Sequence, residues 1–305
     1  MNKLLIVGTV AFDAIETPFG KTEKILGGSA SYIGLSASQF HIQSAIVSVV
    51  GGDFPKAHLE SFQAHQIDTS AIEIISEEKT FFWSGRYHKD MNARDTITTD
   101  LNVLTKFNPI VPGAFKDASV VVLGNLAPAN QANVISQLTN PKALIILDTM
   151  NFWMYNALNE LLEVIKSVDV ITINEEEARQ LTGENSLVIA ARKIYEMGPK
   201  FVVIKKGEHG ALLFNEDKLF SAPALPLETV FDPTGAGDTF AGGFSGYLTK
   251  TNDFSFENMK RALIYGSAMA SFCVEEFGPG RLFNIEESAL EIRLQEFKKL
   301  TQFEL

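Results

Sequence analysis

The sequence predicts a layered α/β fold around a mainly parallel sheet. Six short apolar runs, at 4–7, 45–49, 120–123, 144–147, 170–173 and 201–204, are continuous rather than alternating. Continuous runs of β-formers suit strands buried on both faces, the usual condition of a parallel sheet. Helical patterns lie between them, at about 29–40, 54–66, 129–139, 156–167, 175–182 and 186–197. Strand alternating with helix is the signature of a layered α/β domain. The last third reads differently, as three mostly helical stretches at 235–250, 257–275 and 286–301.

Bulk properties narrow the class. At 305 residues, 46% of them apolar, the chain suits one large core with a small accessory element. The net charge of -11 comes from 26 basic and 37 acidic residues, which argues against nucleic acid and anionic membrane as partners. Cys273 is the single cysteine, so no internal disulfide forms, and a reducing, cytoplasmic setting is expected. Its apolar helical surroundings mark it as core packing. Residues 3–8 read at once as a strand and a turn, unlike a signal peptide. No apolar run approaches the roughly 20 residues that span a bilayer.

Two stretches break the strand–helix rhythm. One is 13–24, with Pro18 and Gly20. The other, about 79–100, begins with the aromatic and β-prone Phe81, Phe82, Trp83 and Tyr87 and continues as a polar segment. It reads either as a small sheet projecting over a site or as an edge hairpin packed on the core.

The most informative run is 230–243. Gly235, Gly237, Gly242 and Gly243 surround Asp238, and helical residues follow. A Gly-Ala-Gly segment opening a helix leaves backbone N–H groups unpaired, and with the helix dipole these make an anion site. Asp238 falls in the first helical turn. In isolation it could equally be a residue that complements the dipole.

The full string Asp232-Pro233-Thr234-Gly235-Ala236-Gly237-Asp238-Thr239-Phe240-Ala241-Gly242-Gly243 resembles the C-terminal signature of the ribokinase-like (PfkB carbohydrate kinase) family at every defined position. The resemblance implies a three-layer α/β/α sandwich over residues 1–305, as a single domain. Segments at about 12–22 and 79–105 would form a small β lid that excludes water from the site. It implies transfer of the γ-phosphoryl group of ATP to a small-molecule hydroxyl. Asp238 would be the base, and Gly235, Ala236 and Gly237 the N–H donors. Phosphoryl transfer needs in-line positioning, charge stabilisation and a base near the attacking hydroxyl, which a helix start of this kind supplies together. No Gly-x-x-x-x-Gly-Lys-Ser/Thr loop occurs.

Other motifs follow in family order. Asn174 and Glu177 match the family's Asn-x-x-Glu, which organises Mg2+ largely through waters. The same residues also read as a helix cap with an acidic first turn. Lys205 and Gly207, ending the strand at 201–204, resemble the nucleotide-side strand and loop, and Ser267 is expected to border adenine. Asp232, Thr234 and the 274–280 loop imply a monovalent-cation site, K+ by family habit. His209 reads as a surface turn residue. Gly51-Gly52-Asp53 reads as a structural turn.

At the acceptor end, Asp13 matches an aspartate that binds substrate hydroxyls, and Gly27-Gly28 resembles the glycine pair under the sugar. The family's usual asparagine four residues later is replaced here by Tyr32. Asn125, Asp148 and Asn151 end strands, where parallel sheets place ligands, and are read either as cleft residues or as turn caps. On family frequency the expected acceptor is a sugar, with a nucleoside as the alternative. Lid pairing in the family implies a homodimer. Rival classes are a nucleotide- or sugar-binding regulator without catalysis, and an NAD-dependent enzyme. The intact Asp238 opposes the first, and the lack of Gly-x-Gly-x-x-Gly after the first strand opposes the second.

Overall fold

The computed structural model describes residues 2–302. In chain order the strands are β1 (Lys3–Val7), β2 (Ala11–Thr17), β3 (Gly20–Lys21), β4 (Ile25–Gly27), β5 (Gln43–Gly51), β6 (Ile67–Ile75), β7 (Phe82–Tyr87), β8 (Arg94–Asp100), β9 (Val120–Leu123), β10 (Leu144–Asp148), β11 (Val170–Asn174), β12 (Phe201–Lys205), β13 (Ala211–Asn215) and β14 (Lys218–Ala222). The helices are α1 (Ser29–Ser38), α2 (Lys56–Ala64), α3 (Pro128–Gln137), α4 (Asn151–Asn156), α5 (Leu158–Lys166), α6 (Glu175–Thr182), α7 (Leu187–Glu196), α8 (Ala236–Thr251), α9 (Phe256–Cys273) and α10 (Glu287–Thr301).

Nine strands form the main sheet, in the order β14-β13-β12-β11-β10-β9-β1-β5-β6. All its pairings are parallel except β12 with β13 and β13 with β14. The six continuous apolar runs are strands of this sheet, and their residues are almost wholly buried. One apolar layer packs α1, α8 and α9 on one face, and a second packs α3, α5 and α7 on the other. This is the expected three-layer sandwich.

Three elements were not expected. The edge strand β6 alternates buried and exposed residues, and the hairpin β13–β14 lies beyond the glycine turn after β12. The short helix α4 interrupts the span after β10. No helix among the described residues is long and apolar enough to cross a membrane.

A second sheet has the order β3-β2-β7-β8, with β4 also paired to β2. It joins the segment after β1 to the aromatic segment near 82–100, so the edge-hairpin alternative gives way to a separate lid sheet. Its inner face carries the odd-numbered residues of β2 and β7, because side chains alternate along a strand. Asp53 fixes its root: Asp53 Oδ1 accepts from Thr80 N at 2.8 Å and from Thr80 Oγ1 at 2.7 Å.

Candidate active site

The C-terminal ends of β1, β9, β10, β11 and β12 point to one edge of the main sheet, where α8 also begins. The helix start is built around Gly235, which caps α8 in the left-handed conformation at φ 73°. A Cβ there would lie 2.4 Å from the Tyr32 ring, so both the backbone angle and the space require glycine. Ala236 N donates to Pro233 O at 3.1 Å and closes the turn. This corrects one expectation: Ala236 spends its N–H on the turn. Among the described residues the backbone N–H groups of Gly235, Gly237 and Asp238 have no acceptor, which leaves three donors open at the helix start, an arrangement suited to an anion.

Asp232 holds this loop from below. It is fully buried, and its carboxylate accepts from Thr234 N at 2.8 Å and from Gly278 N at 2.9 Å. Thr234 Oγ1 meets the Tyr87 hydroxyl at 3.1 Å, which ties the loop to the lid. Cys273 is a core residue, as expected, and burial pushes its thiol up to about 12.

Asp238 stands in the first turn of α8, and its carboxylate accepts no hydrogen bond among the described residues. Burial first and then the Asp148 carboxylate raise its pKa to about 7, against the pull of Lys205 and Arg94. A base tuned near neutrality suits proton removal at physiological pH. Lys205 ends β12 beside the same turn: a Cβ on Gly237 would sit 3.2 Å from Lys205 Nζ. That ammonium pairs with Asp148 Oδ2 at 2.6 Å, and Thr172 Oγ1 donates to the same oxygen at 2.9 Å. Burial works against the Lys205 charge, but Asp148 and Glu177 outweigh it and hold its pKa above the usual value.

Asn174 and Glu177 form a reciprocal capping box. Asn174 Oδ1 accepts from Glu177 N at 2.8 Å, and Glu177 Oε2 accepts from Asn174 N at 2.9 Å. The helix-cap reading is therefore what the geometry shows. It leaves Glu177 Oε1 without a hydrogen bond among the described residues. Burial raises the Glu177 pKa to about 7, Lys205 lowers it and Asp148 raises it. Gly207 and His209 form an exposed turn after β12. Ser267 is buried in α9, 7% exposed.

The acceptor side centres on Asp13, on the inner lid face. Burial raises its pKa to about 7, helped by Asp232 and Asp238, while the Gly28 backbone and Arg94 pull the other way. Gly27 is glycine because a Cβ there would lie 2.1 Å from Asp13 Oδ2. Gly28 caps α1. Trp83 stands opposite Asp13 in the β2–β7 register. Its indole lies across Gly85, where a Cβ would meet the ring at 2.3 Å. Trp83 and Asp13 thus share the inner lid face.

Two acceptor-side expectations change. Tyr32 is 1% exposed and packs its ring beneath Gly235, so it supports the anion loop and offers no face to the cleft. Its hydroxyl is buried without a hydrogen-bond partner among the described residues. Asn125 is held by its neighbours: Trp153 Nε1 donates to Asn125 Oδ1 at 2.8 Å, and Asn125 Nδ2 donates to Met150 Sδ at 2.9 Å. Its amide braces α4 against the end of β9.

The sequence reading missed Thr172, the Lys205–Asp148 pair as a unit, and Arg94. The first two depend on neighbouring strands. Arg94 lay in a polar stretch with no motif.

Comparison with known proteins agrees with this geometry. The model of the pfkB family carbohydrate kinases matches residues 1–285. A cytidine kinase of Thermococcus kodakarensis is 31% identical over 252 residues, covering 81% of this chain and 89% of that protein. A nucleoside kinase of Methanothermobacter thermautotrophicus is 26% identical over 305 residues, covering 90% of each. The structure of an Arabidopsis thaliana ribokinase complexed with ribose and ATP shares the fold, with a TM-score of 0.78 at 20% identity, over 97% of this chain and 99% of that one.

Proposed function

The chain belongs to the pfkB family of carbohydrate kinases and is an ATP-dependent phosphotransferase with a hydroxyl acceptor; within that class we propose that the acceptor is a nucleoside. The observation that carries this reading is that Trp83 stands opposite Asp13 in the lid register, on the same inner face. Asp13 is suited to ribose hydroxyls, and the indole to stacking on a planar base. The sequence similarity to cytidine and nucleoside kinases points the same way.

In the proposed reaction the phosphates lie along the α8 N-terminus. The N–H groups of Gly235, Gly237 and Asp238 receive the transferred phosphoryl group, and Lys205 adds positive charge beside them. Asp238 accepts the hydroxyl proton as the acceptor oxygen attacks. Gly207 and Ser267 lie on the nucleotide side. Mg2+ prefers oxygen donors and keeps several waters, so Glu177 Oε1 and the Asn174 amide fit it as indirect holders. Bound there, it would neutralise phosphate charge.

Asp232 holds the loop through one N–H on each carboxylate oxygen, and each oxygen keeps a further lone pair, so a monovalent cation beside Asp232, Thr234 and the 274–280 loop stays part of the proposal. A homodimer through the lid is supported by the exposed Ile97 on β8, the edge strand, and sedimentation tests it.

A panel of nucleosides and free sugars, read as ADP release with ATP and Mg2+, tests the acceptor. Nucleosides should turn over, and Trp83→Ala should raise their KM about 10-fold or more, as expected for a stacking contact. Turnover of free sugars alone would contradict the nucleoside reading.

A further inference from the structure

The lid meets the main body through contacts of two kinds. At the lid tip Phe19 packs on Phe231, with ring centroids 5.2 Å apart. At the hairpin between β7 and β8, Asn92 Nδ2 donates to Glu208 Oε1 at 3.0 Å. All four of these residues are exposed, so both contacts lie open to solvent. The contact made by Tyr87, at the end of β7, is different. Tyr87 is 6% exposed, and its hydroxyl meets Thr234 Oγ1 at 3.1 Å, inside the phosphate site. Burial holds the Tyr87 pKa above the ordinary phenol value, so the hydroxyl keeps its proton at neutral pH.

Both partners of this contact are fixed by other bonds. Thr234 N donates to Asp232 Oδ1 at 2.8 Å, the Cys273 thiol donates to Thr234 O at 3.5 Å, and Oγ1 is left for the lid. The next residue is Gly235, which opens the anion loop. Tyr87 shares one face of β7 with Trp83, four residues and about 13 Å along the strand. Trp83 in turn stands opposite Asp13. One strand therefore carries both the acceptor-facing side chains and the hydroxyl that touches the anion loop.

We infer that Tyr87 is a positioning residue whose hydrogen bond to Thr234 sets the gap between the acceptor face of the lid and the N–H donors of the anion loop. In-line transfer tolerates little error in that gap, since a misplacement of about 1 Å can cost about 100-fold in rate. The same bond closes the gap to water. Without it, water takes the acceptor's place. Its oxygen forms the bond to the γ-phosphorus, its proton passes to Asp238, and the electron pair of the broken bridging bond leaves with ADP. Tyr87 exchanges no proton and acts through Thr234. The inference rests on the phosphotransferase reading and holds whether the acceptor is a nucleoside or a sugar.

The test uses the full chain, ATP with Mg2+, and whichever acceptor the panel shows to turn over. Two products are counted, ADP and phosphorylated acceptor, and wild type should form them one to one. Tyr87→Phe keeps the ring and removes only the hydroxyl. It should lower kcat for the acceptor about 10-fold, the scale of one hydrogen bond, with the ATP KM little changed. It should also release more ADP than phosphorylated acceptor, a change that loss of folded protein alone does not produce. Thr234→Val should reproduce both effects from the other side of the contact, and Thr234→Ser, which keeps the hydroxyl, should behave as wild type. The double variant Tyr87→Phe with Thr234→Val should be no worse than either single one, because both remove the same bond. An unchanged kcat in Tyr87→Phe, a one-to-one product ratio in that variant, or additive losses in the double variant would overturn the inference. Failure of the nucleoside panel would leave all these outcomes readable with a sugar acceptor.

Discussion

The two ends of the cleft are built from different materials. The phosphate end is backbone: a left-handed Gly235, free N–H groups and a helix dipole, all within a few consecutive residues. The acceptor end is side chains from separate strands: Asp13 from β2, the space at Gly27 from β4, and Trp83 from β7. A backbone anion site must be written as a contiguous string, because each glycine answers a local requirement. An acceptor site can be rebuilt one side chain at a time. On the proposed reading the first end carries the chemistry and the second the specificity.

Substitutions at the two ends should separate these roles. Gly235→Ala forces a left-handed angle on alanine and drives its Cβ into the Tyr32 ring. Transfer should fall about 10³-fold, the upper range for loss of an oxyanion-type site, whichever acceptor is assayed. Asp13→Ala should instead raise the acceptor KM about 10- to 100-fold, the worth of hydrogen bonds to a charged group. Calorimetric ADP affinity should stay unchanged. Equal damage to both affinities would erase the distinction.

The pH profile probes the phosphate end more gently. Asp238 must be ionised to accept a proton, and its pKa is about 7, so kcat/KM should fall about tenfold per unit below that pH. Stability should move the opposite way. Asp13, Glu177 and Asp238 all have native pKa values raised to about 7, so the native state binds their protons more tightly than the unfolded chain does. The stability this contributes is fully present below the ordinary carboxylate range and is lost as pH rises through about 7. The Tm of the ligand-free protein should therefore rise on going from pH 8 to pH 6.

The smallest effect should be at Tyr32. Its hydroxyl is buried without a partner, so Tyr32→Phe should stabilise the protein by about 1 kcal/mol and leave the acceptor KM alone. A large KM increase would return Tyr32 to the acceptor site.

What could be read beforehand follows the same division. The parallel strands were legible because burial on both faces leaves continuous apolar runs. β6 was not, because an edge strand alternates and its pattern is weak. Asp238 and Gly235 were legible as one string. Tyr32 was assigned to the acceptor from its place after Gly28, but the ring packs under a loop two hundred residues away in sequence. Arg94 and the Lys205–Asp148 pair depend on which strands lie side by side, and no local pattern records that.

Proton removal by Asp238 is proposed, and rapid-quench single turnover of phosphoryl transfer by Asp238→Asn checks it without interference from product release. The chemical step should slow about 10³-fold, the usual worth of a general base, with ATP affinity within a few fold of wild type. A transfer rate matching wild type would rule Asp238 out as the base.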